Sequence, residues 1–181
     1  MGQYYNPCIL NKKNKTTVEA FMCSHNYGNG LKLMEHSYIG NNFVGAFESL
    51  IQEKPQRVVW GGDYAEHCSN RKTNIYDRCK ERLEVNPIVP NQETYHNEFV
   101  FIVNHSKKEF VDKREVPEIE GWEGTKIHPL PLLTCEGNGL GGGDFHGKDP
   151  KNLVGSWARD IISVEKEQPT EYKKIKFDLK E

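Results

Sequence analysis

The sequence predicts an α+β fold: a single domain spanning residues 1–181, built on a mainly antiparallel sheet with two or three helices. Three observations lead there. The chain has 181 residues, one domain's worth. Short β-branched and aromatic runs alternate with clusters of turn residues. Only one apolar stripe with helical spacing runs for more than two turns. Leu, Ile, Val and Phe together just exceed the roughly 20% below which a chain cannot bury enough apolar surface to fold, so the core is expected to be thin.

Taken in order, residues 4–10 read as a strand, the stretch NKKNK at 11–15 supplies turn chemistry, and residues 17–23 form the second strand of a hairpin. Residues 24–30 are dense in Asn and Gly and mark a loop. Leu31, Met34 and Tyr38 keep helical spacing, which gives a short helix over residues 31–37. Phe43, Val44, Phe47, Leu50 and Ile51 form the longest stripe, behind Asn41 or Asn42 as N-cap and ahead of Pro55, so residues 42–53 are the most secure helix. Residues 57–60 are a strand that Gly61 and Gly62 end. Residues 74–83 place Ile75, Cys79 and Leu83 at a helical interval. Residues 84–97, with two prolines, read as loop. Strands at 98–104 and 109–113 flank the turn NHSKK. Residues 117–124 read as another loop, and 127–133 as an extended, proline-stiffened segment. Residues 135–147 hold six of the sixteen glycines. Strands at 156–165 and 172–179 complete the order.

Composition narrows the function classes. With 24 Lys and Arg against 26 Asp and Glu, the formal net charge is -2 at pH 7, and duplex nucleic acid is an unfavoured partner because such binding needs a basic surface. The lysines of residues 172–176 read as a solvated strand or helix face. A mean hydropathy of -0.75 and the lack of an 18-residue apolar run argue against a membrane-spanning helix. The polar first residues lack a signal-peptide core. A soluble, cytoplasmic protein is the expectation. Five cysteines with no C-x-x-C pair argue against a disulfide framework or a zinc knuckle.

Three features carry candidate chemistry. The glycine segment can bring backbone N–H groups close to a ligand, which makes Asn138, Gly139, Gly141 and Asp144 candidate ligand-binding residues. Its spacing is not that of a dinucleotide fingerprint or a Walker loop. The bland alternative is a flexible surface excursion. Lys32 and His36 share a face of the short helix, with Glu35 beside them; an anion site or acid–base work stands against a semi-buried histidine beside an exposed ion pair. Asp63 and Tyr64 follow a strand end, where an aromatic and a carboxylate can hold a base or sugar, unless Trp60 anchors the core and Asp63 merely caps a turn. His128 before Pro129 is the remaining candidate base. His36, His128 and Asp63 are thus the catalytic candidates and Lys32 and Tyr64 join the ligand-binding set. No metal site is assigned, since none of these residues sits at a metal-ligand spacing.

The words Met1-Gly-Gln-Tyr-Tyr, Val58-Val-Trp-Gly-Gly-Asp-Tyr-Ala, Ile127-His-Pro-Leu-Pro-Leu-Leu-Thr and Val154-Gly-Ser-Trp-Ala-Arg-Asp resemble a family of small uncharacterised microbial and phage-type proteins beginning Gly-Gln-Tyr-Tyr. The resemblance spans most of the chain and implies one continuous domain. Three functional expectations follow from the residues. The first is binding of a small molecule, nucleotide-like or phosphorylated. The second is a protein-interaction module such as a small inhibitor or immunity-type protein. The third is a hydrolase using a histidine base and an aspartate.

Overall fold

The computed structural model describes residues 1–68 and 72–181. Its strands and helices follow the chain as β1 (Tyr5–Leu10), β2 (Val18–Phe21), α1 (Leu33–His36), α2 (Asn42–Ile51), β3 (Gln56–Gly62), α3 (Ile75–Cys79), β4 (Leu83–Glu84) and α4 (Gln92–Glu98). The second half contributes β5 (Phe101–Asn104), β6 (Glu109–Asp112), β7 (Glu118–Ile119), β8 (Trp122–Lys126), α5 (Pro129–Thr134), β9 (Cys135–Glu136), β10 (Ile161–Glu165) and β11 (Lys173–Lys174). Nine strands form one sheet in the order β11-β6-β5-β10-β3-β1-β2-β4, with β9 added alongside β3. The long pairings are antiparallel. Three short ones, β11 with β6, β4 with β2 and β9 with β3, are parallel. Strands β7 and β8 make a separate hairpin.

The period of two along each strand sorts the core onto two faces. Tyr5 and Ile9 of β1, Val58 and Trp60 of β3, and Ile162 and Val164 of β10 point into the larger cluster, which α2 and α5 cover with Val44, Phe47, Ile51, Leu130 and Leu133. Cys8, Leu10 and Val59 point the other way and meet Ile75 and Cys79 of α3. Burying a side chain such as Phe47 contributes about 2–3 kcal/mol, and its ring meets Trp60 edge-on at a centroid distance of 4.9 Å. Helix α2 starts where the sequence places it: the Asn41 side chain accepts from the backbone N–H groups of Phe43 and Val44 at 2.9 and 3.2 Å.

The α+β class and the mainly antiparallel sheet agree with the sequence reading. Several elements do not. Five α-helices occur among the described residues, against two or three expected. Ile127 and His128 are extended as expected, but residues 129–133 are helical. Pro129 takes the first position of α5, where its missing N–H costs nothing, and His128 caps it by accepting from Leu130 N at 3.1 Å. The loop expected over 84–97 contains most of α4, capped by Asn91 on Thr94 N at 3.1 Å. The loop expected over 117–124 contains the β7–β8 turn. Residues 156–160 are turns rather than strand, because Gly155 and Arg159 adopt left-handed backbone at φ 72° and 64°. Among the described residues no helix is long and apolar enough to cross a membrane.

Candidate functional site

Strand pairing builds the site from residues far apart in sequence. Parallel pairing of Trp60 with Cys135 and Gly61 with Glu136 sets the start of the glycine segment beside the end of β3. Tyr5 lies opposite Gly62 on the other side of β3. A side chain at Gly137 would collide with the Tyr5 hydroxyl and the Gln3 amide, so glycine there is what lets the loop close over β1. Gly139 continues the turn at φ 68°.

The loop folds back onto Asp144, a residue only 4% exposed. Three neutral donors reach it. The Tyr5 hydroxyl donates to Oδ1 at 2.8 Å and the Gly141 N–H to Oδ2 at 2.8 Å. The Gln3 amide donates to Asp144 Oδ2 at 2.8 Å and to Asn138 Oδ1 at 3.0 Å, while its carbonyl accepts from Tyr64 N at 3.1 Å. Burial, with Cys135 and Asp144 nearby, pushes the Tyr5 phenol well above its ordinary range, and burial next to Asp144 pushes the Cys135 thiol up to about 12. Tyr5 therefore remains a donor and Cys135 a neutral thiol at any physiological pH.

An open cavity of about 430 Å³ adjoins this network, walled by Leu33, Glu136, Asn138, Phe145, Val154 and Ala158, with Tyr5 and Asp144 behind them. Glu136 is held by Arg159, whose Nε and Nη2 donate to one carboxylate oxygen at 3.0 and 2.9 Å. Four backbone donors of the loop are already spent. Leu140 N donates to Asn138 Oδ1, Gly141 N to Asp144, Gly142 N to Met1 O and Asp144 N to Gly141 O. Of the loop's backbone N–H groups, that of Gly141 is taken by the Asp144 carboxylate rather than left for a bound anion.

The structure brings Asn138, Gly139, Gly141 and Asp144 together, as the glycine density suggests. Tyr64 touches the group through its backbone N–H, and its side chain is 38% exposed. Lys32 runs its stem past Gly143 and Gly2 on the outer side of the loop and reaches Glu35 at 3.3 Å. Asp63 sits at the end of β3, where it accepts from Tyr4 N at 3.0 Å.

The two histidines lie elsewhere. His36 is fully buried, with Nδ1 on Gly30 O at 3.0 Å and Nε2 accepting from the Trp60 indole at 3.0 Å. Burial lowers its pKa to about 4. Both nitrogens are committed and the ring stays neutral, which is the core-histidine reading of this residue. His128 is also fully buried. Its Nδ1 accepts from Leu130 N, so Nε2 carries the proton and faces Glu48 Oε1 at 3.2 Å. Lys113 completes that group, with Nζ at 2.9 and 3.0 Å from the two Glu48 oxygens.

Sequence reasoning missed Gln3, Tyr5, Val154 and Arg159, whereas Glu136 flanks the glycine segment in the sequence itself. None of the missed residues carries a local motif, and only the pairing of β1 and β9 with β3 gathers them. Among the described residues no three His, Cys, Asp or Glu side chains converge as a metal site would require. No protein-family model, curated protein or solved structure matches the chain.

Proposed function

We propose that the cavity beside Asp144 binds a small uncharged or cationic molecule bearing hydroxyl or amino groups, such as a nucleoside, a sugar or an amine. The observation that carries this reading is the buried Asp144 carboxylate, satisfied only by neutral donors and set behind an open cavity. Its negative charge has no ammonium or guanidinium among its hydrogen-bond partners. Glu136 adds a second carboxylate, and its one guanidinium is already engaged. Such a wall attracts hydroxyl and ammonium donors and repels phosphate. The phosphorylated ligand suggested by glycine density alone is therefore disfavoured at this position.

Titration calorimetry and thermal melting with nucleosides, monosaccharides and diamines test the reading. At least one class should bind saturably, and at a hundredfold excess over Kd should stabilise the fold by about 2.7 kcal/mol. Val154→Trp, which fills the cavity from its wall, should abolish that response, and Asp144→Asn should weaken it. The reading is wrong if no compound binds or if Val154→Trp responds like the wild type.

A protein partner is the second reading, favoured by Leu140, which stands 83% exposed at the tip of the glycine loop. A hydrolase using a histidine base would need its imidazole in the cavity, and neither His36 nor His128 lines it.

A further inference from the structure

A second cavity, of about 400 Å³, opens at the β11 edge of the sheet, and five of the side chains lining it are lysines. They arrive from three separate segments. Lys107 comes from the turn between β5 and β6, Lys151 from the stretch before β10, and Lys173, Lys174 and Lys176 from β11 and its continuation. Leu153, Trp157 and Ile175 form the apolar part of the wall.

The charges there are only partly compensated. Lys151 is paired with Asp178 at 2.9 Å and Lys174 with Glu115. Glu109, the one acid in the wall, accepts from the Trp157 indole at 3.1 Å. Among the described residues Lys107, Lys173 and Lys176 have no carboxylate within salt-bridge distance, and the Lys107 ammonium donates to the Ser156 carbonyl. A chain whose net charge is -2 thus gathers three uncompensated ammonium groups around one concavity.

Lysines on an edge strand commonly serve to discourage pairing with another sheet. That role explains Lys173 and Lys174. It does not explain why Lys107 and Lys151, from two other segments, line the same hollow. Like charges gathered around one hollow repel one another, and a ligand carrying several anionic oxygens offsets that repulsion.

We propose that this pocket binds a small molecule through a di- or triphosphate group, with Lys107, Lys173 and Lys176 as the principal contacts. It stands independently of the cavity beside Asp144, where a phosphate is repelled. The test is calorimetry at low ionic strength with tripolyphosphate, pyrophosphate and inorganic phosphate as probes.

Wild-type protein should bind tripolyphosphate at one site, with affinity falling as the number of phosphates falls and as salt is added. Lys173→Gln/Lys176→Gln should weaken binding about tenfold or more, a change of about 1.4 kcal/mol. Lys12→Gln/Lys13→Gln, which removes equal charge from the exposed β1–β2 turn, should change it less than about twofold. Melting temperatures of both variants establish that they fold. Absence of saturable tripolyphosphate binding by wild-type protein overturns the proposal, and so does equal weakening by the two double variants, which would mark a diffuse field rather than a site.

Discussion

Two buried carboxylates, Glu48 and Asp144, meet opposite solutions to the same cost. Both are removed from water, and each would be strongly destabilising if left alone. Glu48 on α2 is matched by a full cation: the Lys113 ammonium touches both its oxygens, His128 faces it, and Tyr95 of α4 lies over the ammonium with its ring centroid at 5.6 Å. Burial raises the Glu48 pKa, but Lys113 and His128 outweigh it and hold the group down at about 2. Asp144 receives three neutral donors and lies next to a cavity. The closed pair ties α2 and α5 to the end of β6, whereas the open one leaves an electrostatic demand that a ligand can meet. Burial of an acid is therefore not what marks a site here. The kind of partner is.

The largest effect should come from breaking the closed group. Lys113→Met leaves Glu48 buried without its cation and should cost about 3–5 kcal/mol in urea unfolding, whereas Lys113→Met combined with Glu48→Leu should recover most of it. If Lys113→Met costs no more than Asp144→Asn, the distinction between the two carboxylates collapses.

Acid should act next, and through the histidines. His36 binds a proton less readily when folded, near pH 4, than at its ordinary value of 6.5. Its contribution is therefore intact above pH 6.5 and is lost as pH falls towards 4, amounting to about 2 kcal/mol of lost stability at pH 5. His96, lowered to about 4 by burial and by Lys113, adds in the same direction. Glu48 behaves separately, since its stabilisation persists above pH 4.5 and disappears only as pH falls through about 2. Urea midpoints at pH 7 and pH 5 should differ accordingly. A flat profile would mean that burial does not hold His36 neutral.

The smallest effect sharpens the open side of the comparison. Tyr5→Phe removes one of three donors to Asp144 and should cost about 1–2 kcal/mol, less than Lys113→Met because Gln3 and Gly141 remain. A loss as large as that of Lys113→Met, measured in the same unfolding series, would mean that Tyr5 alone sustains the buried charge.

Much of the fold was legible because it rests on short-range signals. The apolar stripe and the Asn41 cap locate α2, and the NKKNK and NHSKK turns locate both hairpins. Elements failed where local signals were ambiguous. Pro129 and Pro131 suggest extension, yet both fall in the first turn of a helix, where backbone N–H groups have no intrahelical acceptor. Helix α4 presents only Tyr95 to the interior, so its stripe is too sparse to register beside two upstream prolines. The end of α3 gives way early because Leu83 pairs with Ala20 in the sheet instead of extending the helix.

The site was legible to the extent that glycine density marks it. Asn138, Gly139, Gly141 and Asp144 are adjacent in sequence, whereas Tyr5 and Arg159 reach them only through β-pairing. For His36 the sequence left a buried histidine and an acid–base role both open, and the partner that decides between them, the Trp60 indole, is 24 residues away.

The place of β10 in the sheet has a consequence for how the chain is made. This strand, at residues 161–165, lies between β3 and β5 and pairs with both. Without it and the residues that follow it, the sheet falls into two pieces, β4-β2-β1-β3 with β9, and β5-β6, leaving the start of β3 and the whole of apolar β5 without their shared partner. Contacts of such long sequence separation form slowly, and open apolar edges invite pairing between chains. A nascent chain halted before residue 161 should therefore aggregate, and the last strand but one acts as the clasp that turns two sticky half-sheets into one protein.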